Sequence, residues 1–402
     1  MLLQTQIAEV VDAQSQNFLS KDLGWERELL PNLEVIKNFA LIVTGIRRCG
    51  KSTLLFQLLK EKFDNAFYLH FEDTRLAGFE NDDFNRLSQE ITKRKPQVLF
   101  FDEIQLLENW ELFVRQKLDE GYKIVITGSN ATLLSQELGT KLTGRHLSVE
   151  LFPFSYTEFL GLKKLKNNEK SVTEYLRRGG FPEYLKTGNG FVLNQLLEDI
   201  LYRDIAVRYG VRDVKSLKQI VVYLLSNIAK QVSANNLKEL FGIKSVSAIL
   251  DYFFYLENAY IVQFLPMFSY SLKKQIRNPK KVYAIDLGLF TENSIVFSDE
   301  NGRRLENTVY LHLRRKNKEL YYFQEKRECD FVTFEKGKPK ELIQACYDLT
   351  PTNLERETSG LLAALEYFDK PIGKIITLNQ KDSFTKNGKK IEVVPINDFL
   401  LG

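Results

Sequence analysis

Eight residues constrain this chain more than any others. Gly45-Ile46-Arg47-Arg48-Cys49-Gly50-Lys51-Ser52 follow the pattern Gly-x-x-x-x-Gly-Lys-Ser, between an apolar run at residues 39–44 and a stretch at 52–61 whose leucines recur at helical spacing. Strand, glycine-rich loop and helix form the context in which successive backbone N–H groups turn toward a phosphate chain at the positive end of a helix dipole. In that frame Gly45 through Thr53 line the phosphates, Lys51 reaches the β- and γ-phosphates, and Ser52 ligates Mg²⁺. The expected ligands are ATP and Mg²⁺.

A second motif agrees with the first. Val98-Leu99-Phe100-Phe101-Asp102-Glu103 is an apolar strand ending in two acids, placed about 50 residues after the loop. Asp102 is expected to hold the metal's water shell, and Glu103 to orient and polarise an attacking water. Alone, two acids at a strand end are solvated surface; after a phosphate loop they read as its partner motif. Further strands are expected at 66–71, 97–101, 122–127 and 146–152, with helices between them. That alternation predicts an α/β domain with a helix-covered parallel sheet, ending near residue 155.

The chain's 402 residues exceed what one hydrophobic core usually serves, so two or three domains are expected. No run approaches 18 uninterrupted apolar residues, and the first residues lack a basic region followed by an apolar core. The expectation is a cytoplasmic protein with no membrane partner. Three cysteines with no Cys-x-x-Cys pair, and three histidines, leave little material for a disulfide framework or a zinc site. The net charge of +4 is unevenly spread: residues 203–281 hold 13 Lys and Arg against 5 Asp and Glu. Such asymmetry points to a polyanionic partner for that segment.

Residues 156–202 read as a small helical lid broken at Gly179-Gly180-Phe181-Pro182. Within 203–285 the order helix, helix, Gly242, helix, then two short β-rich runs matches a winged helix-turn-helix, with 245–256 as its recognition helix. The wing would carry Lys273, Lys274, Arg277, Lys280 and Lys281 to DNA phosphates. The recognition helix has hardly any side chains able to read base edges, so the expected contacts follow the backbone rather than the sequence. Residues 286–402 read as a small α+β domain.

Taken together, G-I-R-R-C-G-K-S-T-L-L, F-F-D-E-I-Q, I-T-G-S-N, T-G-R, G-G-F-P-E-Y, L-Y-R-D-I and R-E-C-D-F-V resemble the bacterial and archaeal AAA+ ATPases that end in a winged helix and a restriction-nuclease-like domain of unassigned function. The resemblance covers nearly the whole chain. It implies a polar sensor at Ser129 or Asn130, with Asn130 the stronger candidate, and an arginine finger at Arg145 that serves a neighbour's γ-phosphate in trans. It also implies a second sensor at Arg177 or Arg178 in the lid, and a homo-oligomeric ring with a hexamer as the candidate size. Glu306, Asp330 and Gln344-Ala345-Cys346 fall on the positions of a nuclease core that needs two acids for a metal and a nearby lysine. Gln344 and Cys346 stand where an acid and the lysine belong, and Glu341 reaches the site only from the strand start, so the reading keeps the fold and doubts cleavage. Three functions stay open: ATP-driven remodelling of or movement along DNA, a nucleotide-controlled switch or scaffold for a protein partner, and an ATP-gated nuclease.

Overall fold

A computed structural model describes residues 1–19, 21–131, 141–142, 144–295 and 300–402. The chain divides into two compact units, Met1–Phe152 and Pro153–Gly402.

In the first unit, β1 (Ala40–Thr44), β2 (Ala66–His70), β3 (Val98–Asp102), β4 (Lys123–Gly128) and β5 (His146–Glu150) form one parallel sheet in the order β2-β3-β4-β1-β5. Every residue of β1 and β3 is buried, as expected of strands covered on both faces. The covering helices are α1 (Gln4–Leu19), α2 (Lys51–Lys62), α3 (Asp83–Arg94) and α4 (Trp110–Asp119). Helix α1 precedes everything the motifs address, and its Ile7, Val10 and Val11 join the same core as Leu69, Leu87 and Phe101. Its entry is fixed where the Leu2 N–H donates to both carboxylate oxygens of buried Asp83. The register pairs Thr44 with Gly128 and His70 with Asp102, so the strands finish along a single edge.

The second unit opens with α5 (Tyr156–Lys163), α6 (Glu169–Arg178), α7 (Pro182–Thr187) and α8 (Phe191–Asp199), the last continuing into a π-helical segment, Ile200–Val207. Side-chain caps set two of these starts: Ser155 with Glu158, and Asn168 with Ser171. The Gly-Gly-Phe-Pro break is a packing site as well as a helix end. Gly179 takes φ 68°, and a Cβ there would lie 2.4 Å from the Asp286 carboxylate; one on Gly180 would lie 2.1 Å from the Phe154 carbonyl oxygen. Buried Asp286 accepts the N–H groups of Gly180 (2.6 Å), Gly288 (2.7 Å) and Leu289.

Next come α9 (Val214–Ser226), β6 (Gln231–Val232), α10 (Ala234–Phe241), α11 (Val246–Asn258), β7 (Val262–Leu265), α12 (Leu272–Arg277) and β8 (Lys280–Ala284). Ser233 and Ser245 cap α10 and α11, and the three strands form an antiparallel sheet in the order β6-β8-β7. Helices α13 (Leu287–Asn293) and α14 (Asn301–Lys316) lead into a six-stranded mixed sheet. Its strands are β9 (Glu319–Gln324), β10 (Glu328–Glu335), β11 (Lys338–Ala345), β12 (Ile372–Thr377), β13 (Asp382–Lys386) and β14 (Lys389–Pro395), in the order β13-β14-β12-β11-β10-β9. Helix α15 (Leu354–Tyr367) packs on this sheet, and α16 (Ile396–Leu401) ends the chain described. The segment between β7 and β8 is tied down at its base: Met267 bridges to Tyr322, and the Phe268 ring stacks on Phe334 at 5.0 Å.

The Gly-Gly contact has measurable consequences. Gly180→Ala should cost about 1–3 kcal/mol, the usual scale of overpacking, read as a lower denaturant midpoint. Burial raises the Asp286 carboxyl from 3.8 to about 6, against the lowering effect of its three N–H donors. The native state therefore holds that proton more tightly than the unfolded chain does, and the stability this provides below pH 4 is lost as pH rises to 6. Urea unfolding at pH 5 and 7.5 should show Asp286→Asn gaining on the wild type at the higher pH; an unchanged difference would assign the slope to other groups.

Candidate nucleotide site and the acid cluster

The loop after β1 has the backbone its glycines permit. Gly45 adopts φ 151°, and a Cβ there would sit 2.1 Å from the Leu151 carbonyl oxygen; Gly50 adopts φ 101° at the start of α2. Buried Lys51 folds its ammonium back to donate to the carbonyls of Gly45 (3.0 Å) and Ile46 (3.1 Å). Ser52 and Thr53 follow on the first turn of α2, where N–H groups lack helical acceptors. This cradle fits a phosphate chain, with Lys51 supplying the mobile charge. Arg48 sits at φ 63°, Arg47 donates to Glu72 at 2.7 Å, and burial pushes the Cys49 thiol up, consistent with a packing role.

The acids stand opposite. Asp102 ends β3 fully buried, its two oxygens accepting the hydroxyls of Thr127 and, at 2.9 Å, Tyr68. Glu103 follows in a left-handed conformation (φ 57°), which turns its carboxylate back to within 3.9 Å of the Lys51 ammonium. That carboxylate accepts the Ser129 N–H and hydroxyl, both at 3.3 Å, together with the Gln105 amide. Ser129, the less favoured sensor candidate, is thus the residue on Glu103; Asn130 is buried immediately after it. Ser52 and Asp102 have the hard oxygen donors that Mg²⁺ takes, and the ion would neutralise charge on the β- and γ-phosphates.

Sequence reasoning missed Arg27. Its buried guanidinium donates to the Cys49 carbonyl (2.8 Å) and the Phe152 carbonyl (2.7 Å), clamping the loop from behind. Gln57 strengthens the clamp by accepting the Arg27 N–H and donating to the Leu23 and Trp25 carbonyls. A lone arginine in an unpatterned segment carries no signal that separates it from a surface residue.

Arg145 does not join this edge. It precedes β5, whose five residues place it about 17 Å of strand away from the loop end, and it pairs with Asp119 at 2.7 Å. Arg177 and Arg178 belong to the second unit at the end of α6, where Arg178 lies 3.5 Å from Glu174 and the Arg177 carbonyl accepts the Thr291 hydroxyl.

The five basic residues expected on DNA separate into two groups. Lys273, Lys274 and Arg277 are exposed on α12, and Lys280 is half-buried. Lys281 is a correction: its side chain is 2% exposed, and its ammonium meets Glu306 at 2.8 Å, Glu328 at 2.7 Å and Asp330 at 2.8 Å. Strand alternation explains the split, since neighbouring residues on β8 face opposite sides. Burial opposes its charge, but attraction to Asp330, Glu306 and Glu328 outweighs that and holds its pKa well above the usual lysine value. Burial and the Asp330 charge raise Glu306 to about 7. Gln344 does not replace a missing acid on this ammonium; its oxygen accepts the Asp330 N–H and its amide donates to Glu357. Cys346 is buried, and Glu341 pairs with Lys374 at 2.6 Å.

Comparison with known proteins agrees with this geometry. Residues 37–160 match an AAA domain, and residues 169–299 match a domain of unknown function, DUF8612. An uncharacterized protein of Methanocaldococcus jannaschii is 35% identical over 426 aligned positions, which cover 94% of this chain and 95% of that protein. An uncharacterized protein of Haemophilus influenzae is 30% identical, covering 90% and 94%. The Walker-type ATPase of Pyrococcus abyssi aligns with a TM-score of 0.42 and 16% identity, over 67% of this chain and 95% of that one. With a relative matched along nearly its whole length, this chain belongs to the family of the M. jannaschii protein, and its residues 37–160, which hold Lys51, Asp102 and Glu103, match an AAA domain.

Proposed function

We propose that this chain hydrolyses ATP with Mg²⁺ as an oligomeric AAA+ ATPase, and that turnover is coupled to remodelling of or movement along DNA. The observation that carries the hydrolytic reading is the Glu103 carboxylate, held by Ser129 and facing Lys51. Glu103 orients and deprotonates the attacking water, Ser129 fixes its direction, and Lys51 meets charge developing on the γ-phosphate. Arg145 serves a neighbouring subunit's site, which is consistent with its distance from its own chain's loop.

The coupling rests on the module 203–285, whose order of helices and antiparallel strands suits a winged helix. Lys273 and Arg277 lie four apart on α12 and Lys274 lies three from Arg277, giving one exposed basic turn for backbone phosphates. One observation favours the rival reading of a switch acting on a protein partner: the outer face of α11 shows Leu250 and Phe254, 54% and 53% exposed, where a base-reading helix would show polar groups.

Four sets of measurements bear on these roles. Lys51→Ala should abolish nucleotide binding, while Glu103→Gln should keep it and lower turnover by about 10²-fold or more; unreduced turnover would mean another group is the base. Ser129→Ala should lose about 5- to 10-fold, the scale of one hydrogen bond. Arg145→Ala should be inactive alone yet regain part of its turnover when mixed with Lys51→Ala, and no recovery at any mixing ratio would rule out a finger between subunits. Duplex or branched DNA at low salt should stimulate the wild type, and replacing Lys273, Lys274 and Arg277 with Glu should flatten the dependence of log K on log salt by about 3. Neither stimulation nor salt-sensitive binding would leave the protein-partner reading standing.

A further inference from the structure

Within the second unit, the acid cluster opens onto a cleft of about 540 Å³ whose lining includes Glu306, Glu328, Asp330 and Gln344. The Lys281 ammonium donates to Glu306 and Asp330, and the Glu328 carboxylate lies at 2.7 Å as a third ionic partner. The carboxylates are themselves held in place. Tyr283 donates to Glu306 at 2.8 Å, and the second oxygen of Asp330 accepts the Ala345 N–H at 2.9 Å. These acids come from α14 and β10, whereas Lys281 arrives from β8 of the three-stranded sheet.

Three carboxylate oxygens converging on one point next to an open cleft are the donor set of a hard divalent cation, and Ca²⁺ accepts such oxygens at about 2.3–2.6 Å. The convergence point already holds a positive charge tethered to the fold. A free ion must therefore compete with an intramolecular rival whose effective concentration is in the millimolar range or above. Expelling the ammonium into a buried, unpaired state further opposes the ion. With the ammonium at their centre the three acids are not arranged to hold a metal ion, and among the described residues no other group of three or more His, Cys, Asp or Glu side chains is.

We infer that Lys281 is the resident cation of this cleft: its ammonium takes the place of a divalent ion among Glu306, Glu328 and Asp330, and removing it converts the cleft into a divalent-cation site. The inference is independent of the ATP and DNA readings.

Terbium, which takes calcium's ligands and emits when tyrosine excites it nearby, is a direct probe. The Tyr322 ring centroid lies 6.0 Å from the Lys281 ammonium, within reach for sensitisation. Tb³⁺ is titrated into the full chain as wild type, Lys281→Met and Lys281→Met/Asp330→Asn, counting only emission that Asp330→Asn removes, so that binding near Asp102 is excluded. Lys281→Met should show a saturable, Asp330-dependent site at least about tenfold tighter than any in the wild type. A folded Lys281→Met without that site overturns the inference, as does an Asp330-dependent site of equal affinity in the wild type. If Lys281→Met does not fold, the decision passes to thermal unfolding of wild type and Asp330→Asn in millimolar Ca²⁺. No Asp330-dependent rise in Tm is expected, and a rise present in the wild type but lost in Asp330→Asn overturns the inference.

Discussion

The position of β4 between β1 and β3 is the constraint on which the nucleotide site depends. Neighbouring strands lie about 4.8 Å apart, so this insertion separates the Lys51 loop from the Asp102-Glu103 strand end by about 9.6 Å. Separated by one strand, the Glu103 and Lys51 side chains reach 3.9 Å across the gap, close enough to share a reacting group. The inserted strand also contributes chemistry: Thr127 fixes Asp102 and Ser129 fixes Glu103. Because all three strands run parallel and in register, one topological choice places every group.

The second unit solves a different problem, joining segments far apart in sequence, and uses buried charge to do it. Asp286 reaches Gly180 across 106 residues, and Lys281 reaches Asp330 across 49. A buried ion is costly unless every lone pair and proton is matched, so each cluster fits only one arrangement of the elements that supply it. Apolar contacts such as Phe268 on Phe334 add adhesion, but they tolerate sliding that these networks do not.

Much of the fold was legible in the sequence because local signals and tertiary demands agreed. Residues 39–44, 97–101 and 122–127 are the expected strands that became β1, β3 and β4. The loop motif located Lys51 because its glycines are required by backbone geometry at positions 45 and 50. What escaped lacked a local signal. Arg27 and Gln57 act only through folding that brings residue 27 behind the loop, and Ser129 was placed below Asn130 because neighbouring residues at a strand end differ only in direction. The β13-β14 hairpin is a different kind of omission. Its turn, Asn387-Gly388 with both φ positive, is among the strongest hairpin signals there are.

The basic segment 203–281 shows what charge counting leaves out. A net charge read along the chain treats each cation as solvent-facing, yet Lys281 is neutralised by three acids lying beyond the segment, and Lys218 is paired with Glu198 before it. The charge presented to a partner is correspondingly smaller, and α12 carries three of its exposed cations. That helix also exposes Leu272 and Ile276, 68% and 67% accessible, beside Lys273, Lys274 and Arg277. Phosphates attract the cations and leave both apolar side chains wet, whereas an acidic protein surface with an apolar centre satisfies the two together. The DNA and protein readings therefore differ in the origin of the binding energy: counterion release dominates for DNA and falls steeply with salt, while burial of Leu272 and Ile276 persists in salt and carries a negative heat-capacity change.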